Sequence, residues 1–295
     1  IMDFKRENNY INTVIEHIEI NKGLPNGRNH GLALAKGKYI IFHDADDWMD
    51  TDCLEQVYNV LSEHEADQII QELKFYNEDG EIIEHLHYSS SPSRWTKNSL
   101  QGNFYRRQVF VDNCILFSDR AYYDDFFITA LFNSYSDSFY VIRSAHYNML
   151  LRHSSMTHLE RNQMRPLVKK LEETFKEVKQ IEKRLNHHNE YYEYEYDCIQ
   201  KYYTSVYSGT ILSYKDKCDL YKQYNSIMRE LYPNYLNNSQ VRLFRENGFL
   251  GHFKRNIWVS SVMEKMDVMI GCHFFMRMLL LAYHLLIRLR VYDEG

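Results

Sequence analysis

Residues 39–42 (Tyr-Ile-Ile-Phe) place four β-branched or aromatic side chains in a row behind the turn residues Lys36-Gly37-Lys38, a pattern that predicts a short buried strand. Upstream, residues 14–20 read as another strand. Residues 21–29 form a loop rich in turn formers (Gly23, Pro25, Gly27) that runs into a helical segment over 29–35. Downstream, Leu54, Val57, Tyr58 and Leu61 recur at helical spacing across 51–65, with Thr51 or Asp52 as the cap. Residues 68–76 and 81–88 flank Gly80 as a hairpin-like pair of strands, followed by a Ser-rich loop whose Trp95 either packs or lines a cleft. A basic segment, 104–107, leads into a helix ending near Asn113; short strands are expected at 115–117 and 139–142.

From about Glu160 the pattern changes. Leu167, Leu171, Phe175, Val178, Ile181 and Leu185 mark one stripe of a helix, and residues 162–235 read as a bundle of helices. The chain is thus expected to be α/β over residues 1–158 and α-helical over 159–295. In the last stretch, residues 278–287 are almost wholly apolar and are bounded by Arg277, Arg288 and Arg290. Such a run is too short to span a bilayer. It suits a helix near 273–291 that either lies at a membrane interface or is buried in the bundle or in a homo-oligomer.

Composition narrows the classes. With 295 residues and 44% hydrophobic content the chain can bury a sizeable core, and a net charge of −5 gives no electrostatic case for nucleic-acid binding. The five cysteines are odd in number and scattered, with no C-x-x-C pair, so they are expected to be reduced thiols of a cytoplasmic protein. No secretory signal opens the sequence. The run Tyr191-Tyr192-Glu193-Tyr194-Glu195-Tyr196 is most simply core and interface packing in a chain with 25 tyrosines.

The chemistry concentrates around Asp44, Asp46 and Asp47, which follow the strand at 39–42 directly. Ligands collect at the carboxyl ends of strands in open α/β sheets, and hard oxygen ligands there suit Mg²⁺ or Mn²⁺ carrying phosphates. The preceding loop can lay backbone N–H groups and Arg28 against a diphosphate.

Together, residues 21–48 resemble a family 2 glycosyltransferase of the GT-A type, whose members read N-x-G-x-x-x-A-R-N-x-G, then G-x-Y-I-x-F-(L/H)-D-x-D-D. Asn21, Gly23, Arg28, Asn29, Gly31, Gly37, Tyr39, Asp44, Asp46 and Asp47 match, and Gly27 stands where Ala is usual. Residues 121–127 stand where relatives read Y-E-D-x-x-F, with Asp124 in place of Glu and Asp125 matching the Asp. Residues 147–157 resemble the ending Y-x-Y-x-x-R-x-x-S-I-T, with Met149 in place of the second Tyr.

The resemblance implies a GT-A (Rossmann-like) catalytic domain, N-terminally incomplete: the family's opening P-x-Y-N and D-D-G-S segments do not occur, so roughly 60 residues of a βαβ unit would precede residue 1. It implies an inverting transfer of a sugar from a nucleotide-sugar, a UDP-sugar, to a hydroxyl of a glycan or lipid-linked glycan in cell-surface polysaccharide synthesis. Asn21, Gly23, Arg28, Asp44, Asp46, Arg152 and His153 would hold the donor, with Asp44 and Asp46 on the metal. Asp125 would be the base, with Asp124 orienting it or contacting the acceptor. A glycosyltransferase of this setting is expected in the cytoplasm or at the cytoplasmic face of the membrane. The alternatives are an inactive or accessory glycan-binding module and a membrane-surface interaction protein.

Overall fold

The computed structural model describes residues 13–88, 95, 100–118, 124–152, 164–185, 188–207, 213–241 and 248–293, without the side chains of Asp124, Tyr207 and residues 164–171, 188–190, 248–255 and 286–293. Helix α1 spans Leu24–Leu34, five residues earlier than the apolar pattern suggests, because Pro25 sits in its first turn, where a missing N–H is harmless. Gly23 precedes it at φ +89°, a left-handed conformation that favours glycine.

A six-stranded mixed sheet follows. Its strands are β1 (Tyr39–Ile41), β2 (Trp48–Met49), β3 (Gln68–Tyr76), β4 (Ile82–Leu86), β5 (Asn103–Arg106) and β6 (Phe139–Leu150), in the order β1-β5-β3-β6-β2, with β4 continuing the sheet beside the second half of β3. The β3–β6 pair is parallel and the other pairs are antiparallel. Central β3 is buried from Gln68 through Leu73, as an inner strand covered on both faces must be.

Helix α2 (Cys53–Glu63) covers one face through Cys53 and Val57 over Ile69, Phe104 and Ile142. Against the other, α1, α3 (Arg107–Asp112) and α4 (Asp124–Asn133) enclose Ile40, Phe42, Tyr105, Phe110, Phe117 and Phe132.

Three expectations are corrected. Residues 14–20 form no strand: Val14 and Ile20 are exposed, and a strand needs both a buried face and a hydrogen-bonding partner. Residues 115–117 are irregular, folded back by the Ile115 N–H to Phe110 carbonyl bond, 2.9 Å, just after Cys114 at φ +51°. The basic stretch at 104–107 is chiefly strand β5, whose Tyr105 is fully buried.

The rest is helical: α5 (Met164–Lys179), α6 (His188–Tyr207), α7 (Tyr214–Leu231), α8 (Gly248–Ile270) and α9 (Phe274–Asp293). These helices share one core with the α/β part, since Phe126 and Ala130 of α4 and Trp95 pack with Phe175, Val178, Tyr194 and Tyr202. Trp95 therefore packs; its ring meets Tyr194 edge-on at 5.5 Å. The expected boundary at 158 falls outside the described residues. Buried Glu264 of α8 accepts hydrogen bonds from Tyr202, Tyr203, Tyr235 and Asn225, so three of the tyrosines serve to satisfy one buried carboxyl. In α9, Met276, Leu280 and His284 are buried, while Phe274, Met278 and Leu285 on the opposite face are exposed. Among the described residues no helix is long and apolar enough to cross a membrane.

Candidate active site

Asp44 lies three residues beyond β1, at the head of a turn closed by the Asp47 N–H to Asp44 carbonyl bond, 3.2 Å. The three carboxylates leave this turn with different partners. Asp47 accepts the Leu150 N–H at 3.1 Å and is half-buried. Burial raises its pKa, against the Leu150 and Tyr147 hydrogen bonds that lower it. Asp47 is thus an anchor between the turn and β6. Asp44 is held by three groups: its N–H donates to the Tyr147 hydroxyl (3.2 Å), Gln101 Nε2 donates to its Oδ2 (2.9 Å), and Arg28 Nη2 stands 3.7 Å from its Oδ1. Asp46 is part-exposed and ion-paired with Arg152.

The element joining this turn to the second constellation is α1. Its second turn carries Arg28 inward, where the guanidinium is buried, lies 5.4 Å from the Phe117 ring, and donates from Nη1 to Asp125 Oδ1 at 2.7 Å. Next along the helix, the Asn29 amide brackets the backbone of Phe117, donating to its carbonyl (3.0 Å) and accepting its N–H (2.9 Å). Residues 28 and 29 together thus lock the 115–118 segment and the start of α4 onto α1. One cation consequently links Asp44 and Asp125, two carboxylates 81 positions apart, at the carboxyl end of β1.

The anticipated residues therefore fall as follows. Arg28, Asp44 and Asp125 converge; Asp46 and Arg152 pair at the same turn. Arg28 contacts carboxylates in this structure, so a diphosphate would have to compete for it. Asn21 Oδ1 accepts the Gly23 N–H at 2.9 Å and shapes the entry to α1. The Asp124 side chain and His153 lie outside the described residues. Gln101, His43 and Tyr147 were not anticipated as site residues. The buried Tyr147 hydroxyl, 3.1 Å from His43 Nδ1, is the hub under the turn, and burial raises its pKa far above the ordinary tyrosine value. Its sequence signal is its place as the first Tyr of the 147–157 motif; its position under the Asp44 turn comes from its pairing opposite Met49 in the β2–β6 ladder, a register not written in either strand alone.

The carboxylates fit a hard divalent cation by donor type: Asp44 and Asp46 lie two residues apart on one turn, and both side chains are about one-third exposed (36% and 32%).

Residues 3–126 match the glycosyl transferase family 2 model. The N-terminal part of this chain is a family 2 glycosyltransferase domain. Over 69 residues, this chain is 36% identical to the poly(ribitol-phosphate) beta-glucosyltransferase of Bacillus spizizenii, an alignment covering 23% of this chain and 11% of that protein. It is 26% identical over 118 residues to the poly(ribitol-phosphate) beta-N-acetylglucosaminyltransferase TarS of Staphylococcus aureus (38% of this chain, 20% of TarS). It is 33% identical over 76 residues to the minor teichoic acid biosynthesis protein GgaB of Bacillus subtilis (26% and 8%). The chain thus aligns with no more than a fifth of the length of these relatives. Among solved structures, S. aureus TarS 1–349 in complex with UDP superposes with a TM-score of 0.63 at 15% identity, covering 92% of this chain and 78% of that one. The fold is GT-A with a helical C-terminal region.

Proposed function

We propose that this protein transfers a sugar from a UDP-sugar to a hydroxyl of a cell-surface glycan, with inversion. The single observation behind this reading is the junction of Asp44, Arg28 and Asp125, which sets a carboxylate for the leaving group and a carboxylate for the nucleophile on either side of one guanidinium. The names of the relatives, which act on poly(ribitol-phosphate) or in teichoic acid biosynthesis, support a cell-wall polymer as acceptor class.

In this account Asp125 takes the proton of the acceptor hydroxyl, and the freed oxygen attacks the anomeric carbon from the face opposite the nucleotide. The bond from that carbon to the diphosphate oxygen breaks, and UDP departs with the electron pair. Asp44 and Asp46 would hold Mg²⁺ or Mn²⁺, which supplies charge neutralisation for the departing diphosphate. Arg152 leaves Asp46 for the phosphates when the donor enters, and Arg can fork onto two phosphate oxygens. Arg28 fixes the spacing of Asp44 and Asp125 and so sets the distance between the two halves of the reaction.

A membrane-peripheral placement fits the exposed apolar residues Met269, Ile270, Phe274 and Met278 gathered around the α8–α9 turn beside exposed Arg277. Co-sedimentation with anionic liposomes, abolished in Phe274→Ser/Met278→Ser, tests it.

The catalytic reading is tested by donor turnover in Mn²⁺ or Mg²⁺: wild type should turn over, Asp46→Ala should not, and EDTA should stop the reaction. Undiminished turnover in excess EDTA refutes the metal assignment. UDP binding with no turnover of any UDP-sugar favours a glycan-binding module instead.

A further inference from the structure

On the face of the sheet opposite Tyr147, three adjacent strands present imidazoles and a carboxylate to one another. Successive residues of a strand point to opposite faces, so His146 faces away from the Asp44 turn that Tyr147 supports. His146 pairs in register with Glu72 of β3, and His85 of β4 pairs with Lys74, the next residue of β3 on that same face. Glu72 is 2% exposed, a costly position for a carboxylate without strong partners. Its Oε1 accepts the Tyr88 N–H (3.1 Å); its Oε2 lies 2.9 Å from His87 Nδ1 and 3.2 Å from His85 Nε2. The His85 contact is close in distance yet out of alignment for a hydrogen bond, and this buried nitrogen has no hydrogen-bond partner.

His146 is oriented from behind. Its Nδ1 lies 2.7 Å from Asp50 Oδ2, and Asp50 is itself held by the His146 N–H (3.1 Å) and the Asn148 amide (3.0 Å), with Lys74 Nζ at 3.9 Å. A carboxylate on one imidazole nitrogen leaves the other as the ligating atom, the arrangement that orients histidines on metals. One ligand atom from each of Glu72, His85 and His146 lies within 4.8 Å of the others. Small side-chain rotations bring these atoms to the separations of about 3.4 Å expected of a tetrahedral site with ligand bonds near 2.1 Å. An open groove of about 730 Å³, lined in part by Trp48, Asp50, Lys74 and His146, gives an ion access.

We propose that Glu72, His85 and His146 form a binding site for one divalent transition-metal ion, Zn²⁺ by donor chemistry, separate from the carboxylates of the Asp44 turn. Two imidazoles and a carboxylate are borderline-soft ligands that suit Zn²⁺ better than Mg²⁺. The fourth position is left to water or to His87. Such an ion would clamp β4, β3 and β6 together. Through Asp50, three residues past Asp47, it would also steady the end of the Asp44 turn from behind.

The test uses purified protein stripped with a chelator. Zn²⁺ titration by calorimetry should show one ion per chain, Co²⁺ should give the visible absorption of a four-coordinate site, and saturating Zn²⁺ should raise Tm by about 5 °C. His85→Ala and Glu72→Gln should each weaken Zn²⁺ at least tenfold, Asp50→Asn about tenfold, and Asp46→Asn not at all. His85→Gln, which keeps volume and polarity, replaces His85→Ala if the latter loses the native circular dichroism. Absence of Zn²⁺ uptake by the wild type overturns the proposal. Uptake insensitive to His85 and Glu72, or lost equally in Asp46→Asn, overturns it as well.

Discussion

Replacing Arg28 with methionine removes the cation that joins Asp44 to Asp125 while keeping an unbranched side chain against Phe117. The guanidinium is buried, but its partners are only partly so: the Asp125 side chain is 33% exposed and that of Asp44 36%. A fully buried pair broken at one end costs about 3–5 kcal/mol, and a fully exposed one about 0–1 kcal/mol. A single charge-assisted hydrogen bond at 2.7 Å belongs between these limits, at about 2 kcal/mol. For a chain of this size that loss lowers Tm by about 3 °C. Urea unfolding of wild type, Arg28→Met, Asp125→Asn and the double variant closes a cycle, and the coupling should be about 1–2 kcal/mol. Losses that add to within about 0.3 kcal/mol would show that the two side chains do not depend on each other, and the proposed spacing role of Arg28 would fail.

Arg152→Ala releases Asp46, so it should tighten Mn²⁺ on the free protein slightly, by no more than about 1 kcal/mol for so exposed a pair. The same variant should weaken UDP more than uridine. Equal losses for the two nucleotides in calorimetry would place Arg152 away from the phosphates. Asp197, buried in α6, is pushed by desolvation from 3.8 up to about 7, with Lys201 opposing. Its folded pKa lies above the unfolded one, so its protonated form favours the native state below about pH 4, and that contribution is lost as pH rises through 7. Stability should therefore fall between about pH 4 and 7, by at most about 4 kcal/mol from this group. Asp197→Asn should flatten the slope in urea titrations at several pH values, and an unchanged slope would refute the assignment.

What the chain displays openly is local. The 68–76 and 81–88 strands about Gly80, the helix after Asp52, the carboxylate turn after Phe42 and the two acids at the start of α4 all follow from short-range pattern. The errors come from partners that no short window contains. Residues 14–20 have strand-like composition but pair with no strand among the described residues, and β5 hides behind basic residues because its burial comes from β1 and β3 on either side. The early start of α1 is marked by Pro25, a residue suited to the first turn, while the apolar spacing begins only later.

In the site, Asp44, Arg28 and Asp125 were each legible from motif, but the ion pairs that join them were not, since they arise when α1 packs over the 115–118 loop. The Glu72–His85–His146 cluster was not legible either: its residues come from three strands and meet only through sheet register.

The central claim is that Asp125 serves the acceptor and the Asp44 turn serves the donor. It is tested most directly by measuring UDP-sugar transfer and UDP affinity side by side in wild type and Asp125→Asn. The account predicts that transfer falls by about 10²–10⁴-fold, the worth of a general base, while UDP affinity stays within a few fold. Loss of UDP affinity in step with turnover would contradict it.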